Sequence, residues 1–526
     1  MARLIPRPVQ QARTGGVFDV SRLGPVVATG AELASLVGVA ADMLARYASP
    51  AAQADDPSAL PRVELRLDLP PTEPPAGPPA EPPAGPPTGP PAARPIVTRP
   101  GGSQDEAYRL QIEQNGIRCA GRTPAGVLRA VSTLAQLVAE TDQLPCQVIE
   151  DYPRFGWRGL MVDVARSFRT TAELKEVVDL CALYKLNRLH LHLTDNEAWR
   201  LAIPGLPELT DAPVSSGGTG YYTVTEFGDL QDYAAERHVT VVPEIDLPGH
   251  CGALVRAVPS LARLPRPAWL AADAAYAGPI DLADDATRAL VGQIVGQVAR
   301  QTRGPYIHIG ADEAYGADDQ AFATAVRFLR ARVREAGKEP VAWQEAARAG
   351  VDEHDILQHW ISLAMTGLAA TESSALRRHF EPAEGDVRAA VAGGARLLLS
   401  PQSHAYLDRP YDPAIVPPDQ RDVARRLGFA HYPPHTVAAA AAWDPDSAGL
   451  PGAHIAGVEA TLFGETITSF ADLTTMLLPR LPAIAESAWT GRPAPWTEMR
   501  QSLASHAPLW RRRGWAFFAS TEVDWS

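Results

Sequence analysis

Tyr306-Ile307-His308-Ile309-Gly310-Ala311-Asp312-Glu313 is a short apolar strand that runs straight into two adjacent carboxylates. Two like charges at the end of a buried strand cannot both ionise freely, so their pKa values are pushed apart. One then stays an anion while the other keeps its proton as a general acid, the division that glycoside and acyl-transfer chemistry needs. The same residues would also suit a strand followed by a solvated acidic turn. The surrounding sequence decides between the two.

Outward from this stretch the pattern repeats. Upstream lie the apolar runs Gly159–Asp163, Arg188–Leu193 and Val239–Glu244; downstream lie Pro340–Trp343, Ile356–Trp360, Arg396–Leu399 and Ile455–Val458. Helical patterns separate most of them, as at Thr171–Lys185, Thr225–Arg237, Asp285–Gln301 and Asp319–Ala336. Near-continuous apolar strands alternating with helices predict a parallel sheet covered on both faces. Eight of them predict an α/β fold of the (β/α)8 TIM barrel type. Catalytic groups of such a barrel stand where its strands end. Here those positions hold acids and aromatics: Asp163 and Arg166, Asp195, Glu244 and Asp246, then Asp312 and Glu313. The series continues with Trp343 and Glu345, Trp360, Gln402 and His404, and Glu465. A barrel built only for stability needs no such rim, and tryptophans there suit the apolar face of a sugar ring.

Residues 1–150 have a different rhythm and predict a small non-catalytic α+β domain ahead of the catalytic barrel of 151–526, which ends in helices. Val63–Leu67 and Tyr108–Ile112 alternate like strands. Thr123–Val138 reads as a helix with Thr123 as N-cap and Pro124 in its first position. Between the strands, 70–95 is Pro-rich, with Glu-Pro-Pro-Ala-Gly-Pro-Pro starting at Glu73 and again at Glu81. It cannot pack a core and reads as an extended, solvated loop insertion.

The chain of 526 residues is long enough for a barrel and a smaller domain. A net charge of −13 argues against nucleic acid or an anionic membrane as partner. Neither a signal segment nor an apolar run of spanning length is evident, so the expectation is a cytoplasmic protein. Cys119, Cys146, Cys181 and Cys251 lack metal-ligand spacing and read as buried, reduced hydrophobes. The sequence implies no metal and no cofactor.

From Asp151 to about Trp489 the chain resembles family 20 glycoside hydrolases, the β-N-acetylhexosaminidases. The resemblance rests on an ordered series: Trp157-Arg158-Gly159, Asp163-Val164-Ala165-Arg166, Leu191–Asp195, Val242–His250 and His308–Glu313. Trp343-Gln344-Glu345, Ser403–Asp408, Pro479–Leu481 and Ala485–Trp489 complete it. It implies substrate-assisted hydrolysis with retention, in which the 2-acetamido oxygen attacks its own anomeric carbon to give an oxazolinium ion. Glu313 would be the acid and then the base; Asp312 would stay ionised and direct the acetamido group. Asp195 and His250 would support Glu313, and Tyr406 would donate to the acetamido oxygen. The resemblance gives substrate binding to Arg158, Asp246, Trp343, Trp360, Asp408, Phe463 and Glu465. The implied partner is an oligosaccharide or glycoconjugate ending in N-acetylhexosamine; the oligomeric state is not legible. His190 and His192 read as core or supporting groups, and Asp163 as a buried partner of Arg158 or Arg166.

Two departures from the family pattern stand out. Ala311 occupies a glycine position, a small-for-small change the fold should tolerate. Phe463 replaces the family's tryptophan and predicts a wider or differently shaped pocket, with altered hexosamine specificity or disaccharide release as the alternative. A metal-dependent barrel hydrolase would use His190 and His192, but such a site needs further histidine ligands on later strands, and His308 lies inside its strand, before Asp312-Glu313. A non-catalytic sugar binder would have no need for both carboxylates and Tyr406.

Overall fold

The computed structural model describes residues 3–48, 60–68, 104–270, 276–361 and 380–525. The Pro-rich insertion expected at 70–95 lies outside them. The chain divides into two compact units, Met1–Gly156 and Trp157–Ser526.

In the first unit, six strands form one sheet: β1 (Gln10–Asp19), β2 (Val26–Ala28), β3 (Val63–Arg66), β4 (Tyr108–Glu113), β5 (Gly116–Gly121) and β6 (Gln143–Asp151). Their order is β1-β6-β4-β5-β3-β2. Strand β4 shows why: Tyr108, Leu110 and Ile112 are buried while Arg109 and Gln111 are not, the period of a one-sided sheet. The helix Pro124–Glu140 packs on β4 and β5. Thr123 caps it, accepting the Gly126 N–H at 3.3 Å, with Pro124 in the first turn. This is the small α+β domain that the pattern predicts.

The second unit is a closed parallel barrel. Its strands are β7 (Trp157–Asp163), β8 (Arg188–His192), β9 (Thr240–Glu244), β10 (Tyr306–His308), β11 (Glu339–Trp343), β12 (Ile356–His359), β13 (Arg396–Leu399) and β14 (Ile455–Leu462). Every apolar run of the sequence becomes one of them. β14 extends to Leu462, past the predicted end, because it pairs with β7 from Gly457↔Trp157 to Leu462↔Val162. The helices Thr171–Leu183 and Val224–Glu236 open with reciprocal capping boxes, Thr170 with Glu173 and Thr223 with Glu226.

The barrel interior is layered. Trp157, Val242, Val341, Ile356 and Leu398 form an apolar floor. Above it the filling is polar. Glu459 accepts from the Trp157 indole at 2.7 Å and from Gln358 at 3.1 Å, and lies 2.8 Å from His190 Nδ1. Gly159 makes room for this carboxylate, since a Cβ there would stand 2.1 Å from Glu459 Oε2. One level higher, strand register aligns His192 with Glu244 and Glu244 with His308. All four cysteines are free and buried. Among the described residues, no helix is long and apolar enough to cross a membrane.

Candidate active site

The loop after β10 carries the two acids on an unusual backbone. Gly310, Ala311 and Glu313 have φ of 70°, 73° and 41°. Gly310 is required twice over, since a Cβ would also sit 1.7 Å from Asp246 Oδ1. Ala311 donates its N–H to that same oxygen at 3.2 Å. A left-handed alanine costs about 1–2 kcal/mol. The exchange for glycine is therefore accommodated but not neutral.

A chain of charged groups leads to the acids. His192 Nε2 is 2.8 Å from Asp195 Oδ2, and Asp195 Oδ1 is 3.1 Å from His250 Nδ1. His250 Nε2 then stands 3.7 Å from Asp312 Oδ2 and 3.6 Å from Glu313 Oε2. Burial opposes a charged Asp195, but Arg166, His250 and His192 hold its carboxyl well below the usual range. Burial also opposes a charged His250, yet Asp195, Asp246 and Asp312 keep the imidazolium well above its ordinary pKa. For Asp312 the balance runs the other way. Burial, Asp246 and Glu313 push its carboxyl well up, against the pull of His250. Asp246 itself is raised to about 7, by burial and by Glu244 and Asp195.

Beyond the acids the rim turns aromatic. Trp343, Trp360 and Tyr406 form one buried cluster, with Phe463 and Tyr432 packed against it. Tyr406 stacks at 6.3 Å and 17° on Trp360 and lies 5.4 Å from Phe463. Trp343 and Trp360 meet edge to face at 6.4 Å. Each indole N–H ends on a carboxylate, Trp343 on Glu244 at 3.0 Å and Trp360 on Glu345 at 3.1 Å. Burial and Asp312 raise Glu345 to about 8. Burial and the nearby Tyr432, Asp408 and Asp312 keep the Tyr406 phenol protonated, hence a donor. Asp408 is buried, and burial and Glu465 raise its carboxyl.

Arg158 is not part of this rim, and its sequence assignment is corrected. Trp157 and Gly159 face inward against Glu459, so strand parity turns Arg158 outward. Its Nε donates to the Lys185 carbonyl at 2.9 Å and its guanidinium lies 4.9 Å over Trp489. Arg166 takes the rim position instead. It reaches Asp195 at 2.8 Å, Asp163 at 3.2 Å and Glu197 at 3.2 Å, with Phe463 5.7 Å below its guanidinium. Asp195, Asp163 and Glu465 hold it charged against a burial that opposes the charge. Asp163 is thus the partner of Arg166. His308 lies inside its strand and stacks on His190 at 4.6 Å within the barrel. Tyr432, within electrostatic reach of Asp408, Glu465 and Glu313, gives no sequence signal because it lies in the long connection after β13.

The N-terminal residues 1–152 match the family model "Glycosyl hydrolase family 20, domain 2", and residues 155–492 match "Glycosyl hydrolase family 20, catalytic domain". A β-N-acetylhexosaminidase of Cellulomonas fimi is 36% identical over 436 residues, covering 80% of this chain and 82% of that protein. A β-hexosaminidase of Akkermansia muciniphila is 31% identical, covering 77% of this chain and 83% of its own length. The solved N-acetyl-β-hexosaminidase of Streptomyces plicatus, in complex with Thio-NAglucal, superposes with a TM-score of 0.80 at 30% identity, covering 100% of this chain and 98% of that one. None of these findings favours a metal-dependent hydrolase or a non-catalytic sugar binder.

Proposed function

The chain belongs to glycosyl hydrolase family 20, and on that premise we propose a division of roles among its rim residues. The activity is that of a β-N-acetylhexosaminidase, a glycoside hydrolase that releases terminal N-acetylhexosamine with retention and with help from the substrate's own acetamido group.

Glu313 protonates the leaving oxygen and later takes the proton of the incoming water. Its side chain is 27% exposed against 14% for Asp312, as suits a group that meets a departing aglycone and then water. Asp312 accepts the acetamido N–H and faces the positive charge of the closing ring. Its Oδ1 is buried and finds no hydrogen-bond partner among the described residues. In the free protein that carboxyl is pushed toward protonation; an N–H donor and a developing cation reverse the push. His250, braced by Asp195, presents its second nitrogen to both acids. Trp343, Trp360 and Phe463 wall the acetamide away from water, and Tyr406 donates to its oxygen. Arg166, Asp408 and Glu465 hold the outer hydroxyls, and Asp246 fixes the acid loop through Ala311.

The observation that carries this reading is the line Asp195–His250–Glu313 ending beside a closed box of aromatics. The protein is expected to hydrolyse an aryl β-N-acetylglucosaminide and to leave the matching β-glucoside, which has no internal nucleophile. Equal rates on the two would overturn it.

A further inference from the structure

The catalytic and binding roles leave Glu244 unused, although it is fully buried at the centre of the barrel. Each of its two carboxylate oxygens accepts one hydrogen bond from the site and lies against one further histidine of the interior. Oε1 accepts the Trp343 indole N–H at 3.0 Å and faces His308 Nδ1 at 2.9 Å. Oε2 faces His192 Nδ1 at 2.5 Å and His190 Nε2 at 3.1 Å. Each oxygen therefore serves one residue of the site and one histidine of the barrel interior. His190 is in turn fixed to Glu459 at 2.8 Å. From Oε2 the contacts run through His192 and Asp195 to His250, beside Glu313. From Oε1 they run to the wall of the aromatic box.

We propose that Glu244 is a positioning residue that couples the two halves of the reaction, holding His250 in line through His192 and Asp195 and holding Trp343 through its indole. The inference rests on the roles proposed for Glu313 and the aromatic box. A carboxylate is suited to this because its two oxygens are rigidly joined at about 120° in one plane and accept up to four donors. A shift of either oxygen displaces the other. The proton donor and the pocket that aims the acetamido oxygen are thereby held in one frame, which an intramolecular displacement requires. A neutral amide has the same shape but turns an NH2 toward either the Trp343 indole or His192, so one arm loses its acceptor whichever way it turns.

Glu244→Gln separates this from a purely structural role. On a series of aryl and alkyl β-N-acetylglucosaminides, the variant should lose about tenfold more kcat on the poorest leaving group than on nitrophenol, because the acid arm is displaced. Its dissociation constant for N-acetylglucosamine should rise several-fold, because Trp343 is released. A folded variant with an unchanged leaving-group slope and unchanged N-acetylglucosamine binding overturns the proposal. Should Glu244→Gln fail to fold, a cycle of His192→Asn, Trp343→Phe and the double variant decides. Coupling through Glu244 makes their effects on kcat/KM non-additive by about threefold or more, and additivity overturns it. The underlying functional reading fails separately, in the wild-type comparison of aryl N-acetylglucosaminide with aryl glucoside.

Discussion

The two halves of the barrel rim differ in kind. The ends of β7 to β10 supply a connected charge chain, with Arg166, Asp195, His250, Asp312 and Glu313 linked one to the next within salt-bridge reach. The ends and following loops of β11 to β14 supply rings: Trp343, Trp360, Tyr406 and Phe463. In the proposed reaction the charged half sets protonation and meets a developing cation. The aromatic half there serves to exclude water, which strengthens every interaction in the charged half by lowering the local dielectric. Neither half would catalyse alone. The difference shows that a barrel site of this type is assembled as two surfaces facing one substrate, not as a ring of equivalent residues.

The sharpest break of that contrast is within the charged half. Glu313→Gln should cut kcat on an oligosaccharide about 10³-fold and on a nitrophenyl substrate far less, because nitrophenol leaves without help. Asp312→Asn should cost about 10²–10³-fold on both, since it acts on the nucleophile and not on the leaving group. A leaving-group series distinguishes the two; equal profiles would merge their roles. Arg166→Ala should come next, with kcat/KM lower by about 10²-fold, mainly through KM. Arg158→Ala should lower the melting temperature while kcat/KM per folded molecule stays near wild type, because its contacts are Lys185 and Trp489. Loss of catalysis with Arg158→Ala would restore the assignment that the structure removes.

The pH dependence tests the electrostatics directly. Asp312 faces Asp246, Glu313 and Glu244, which raise its pKa, and His250, which lowers it. A carboxyl raised in the folded protein keeps its proton to higher pH, so kcat/KM should fall on acidification through a value well above that of an ordinary aspartate. Asp246→Asn removes one like charge, and the acidic limb should move to lower pH. A limb that stays fixed would mean that another group sets it. Changes to the aromatic half should be milder. Phe463→Trp, which fills the space beside Trp343 and Tyr406, should change kcat/KM by less than about tenfold, and unequally for GlcNAc and GalNAc substrates. Smallest of all, Ala311→Gly should raise stability by up to about 1 kcal/mol by relieving a left-handed φ, readable as a small rise in melting temperature.

Much of this molecule is legible in its residues. Eight apolar runs separated by helical periods predict a parallel sheet covered on both faces, and eight is the number of strands that closes a (β/α)8 barrel. Charged and aromatic residues at the ends of the runs mark the rim, Arg166 and Glu345 among them. Arg158 misleads because a motif does not carry its own parity. Trp157, Gly159 and Asp163 share one face of β7, which leaves Arg158 on the other. His308, inside its strand, meets His190 and Glu244 because alternate side chains of every strand converge on the same axis. Tyr432 and the φ of Ala311 are out of reach, because one depends on how a long irregular connection folds back and the other on a backbone angle that composition does not encode.

The polar layer beneath the rim has a consequence for how this protein could change. Burial opposes charge on His190 and His192, yet the neighbouring carboxylates, Glu244 foremost, raise His190 to about 9 and His192 well above its ordinary range. The layer is close to charge-balanced, so exchanging any one member leaves an unmatched ion in a dry interior, at a cost of several kcal/mol. Single exchanges in this layer therefore carry a stability cost that a matched exchange of acid and histidine together would avoid.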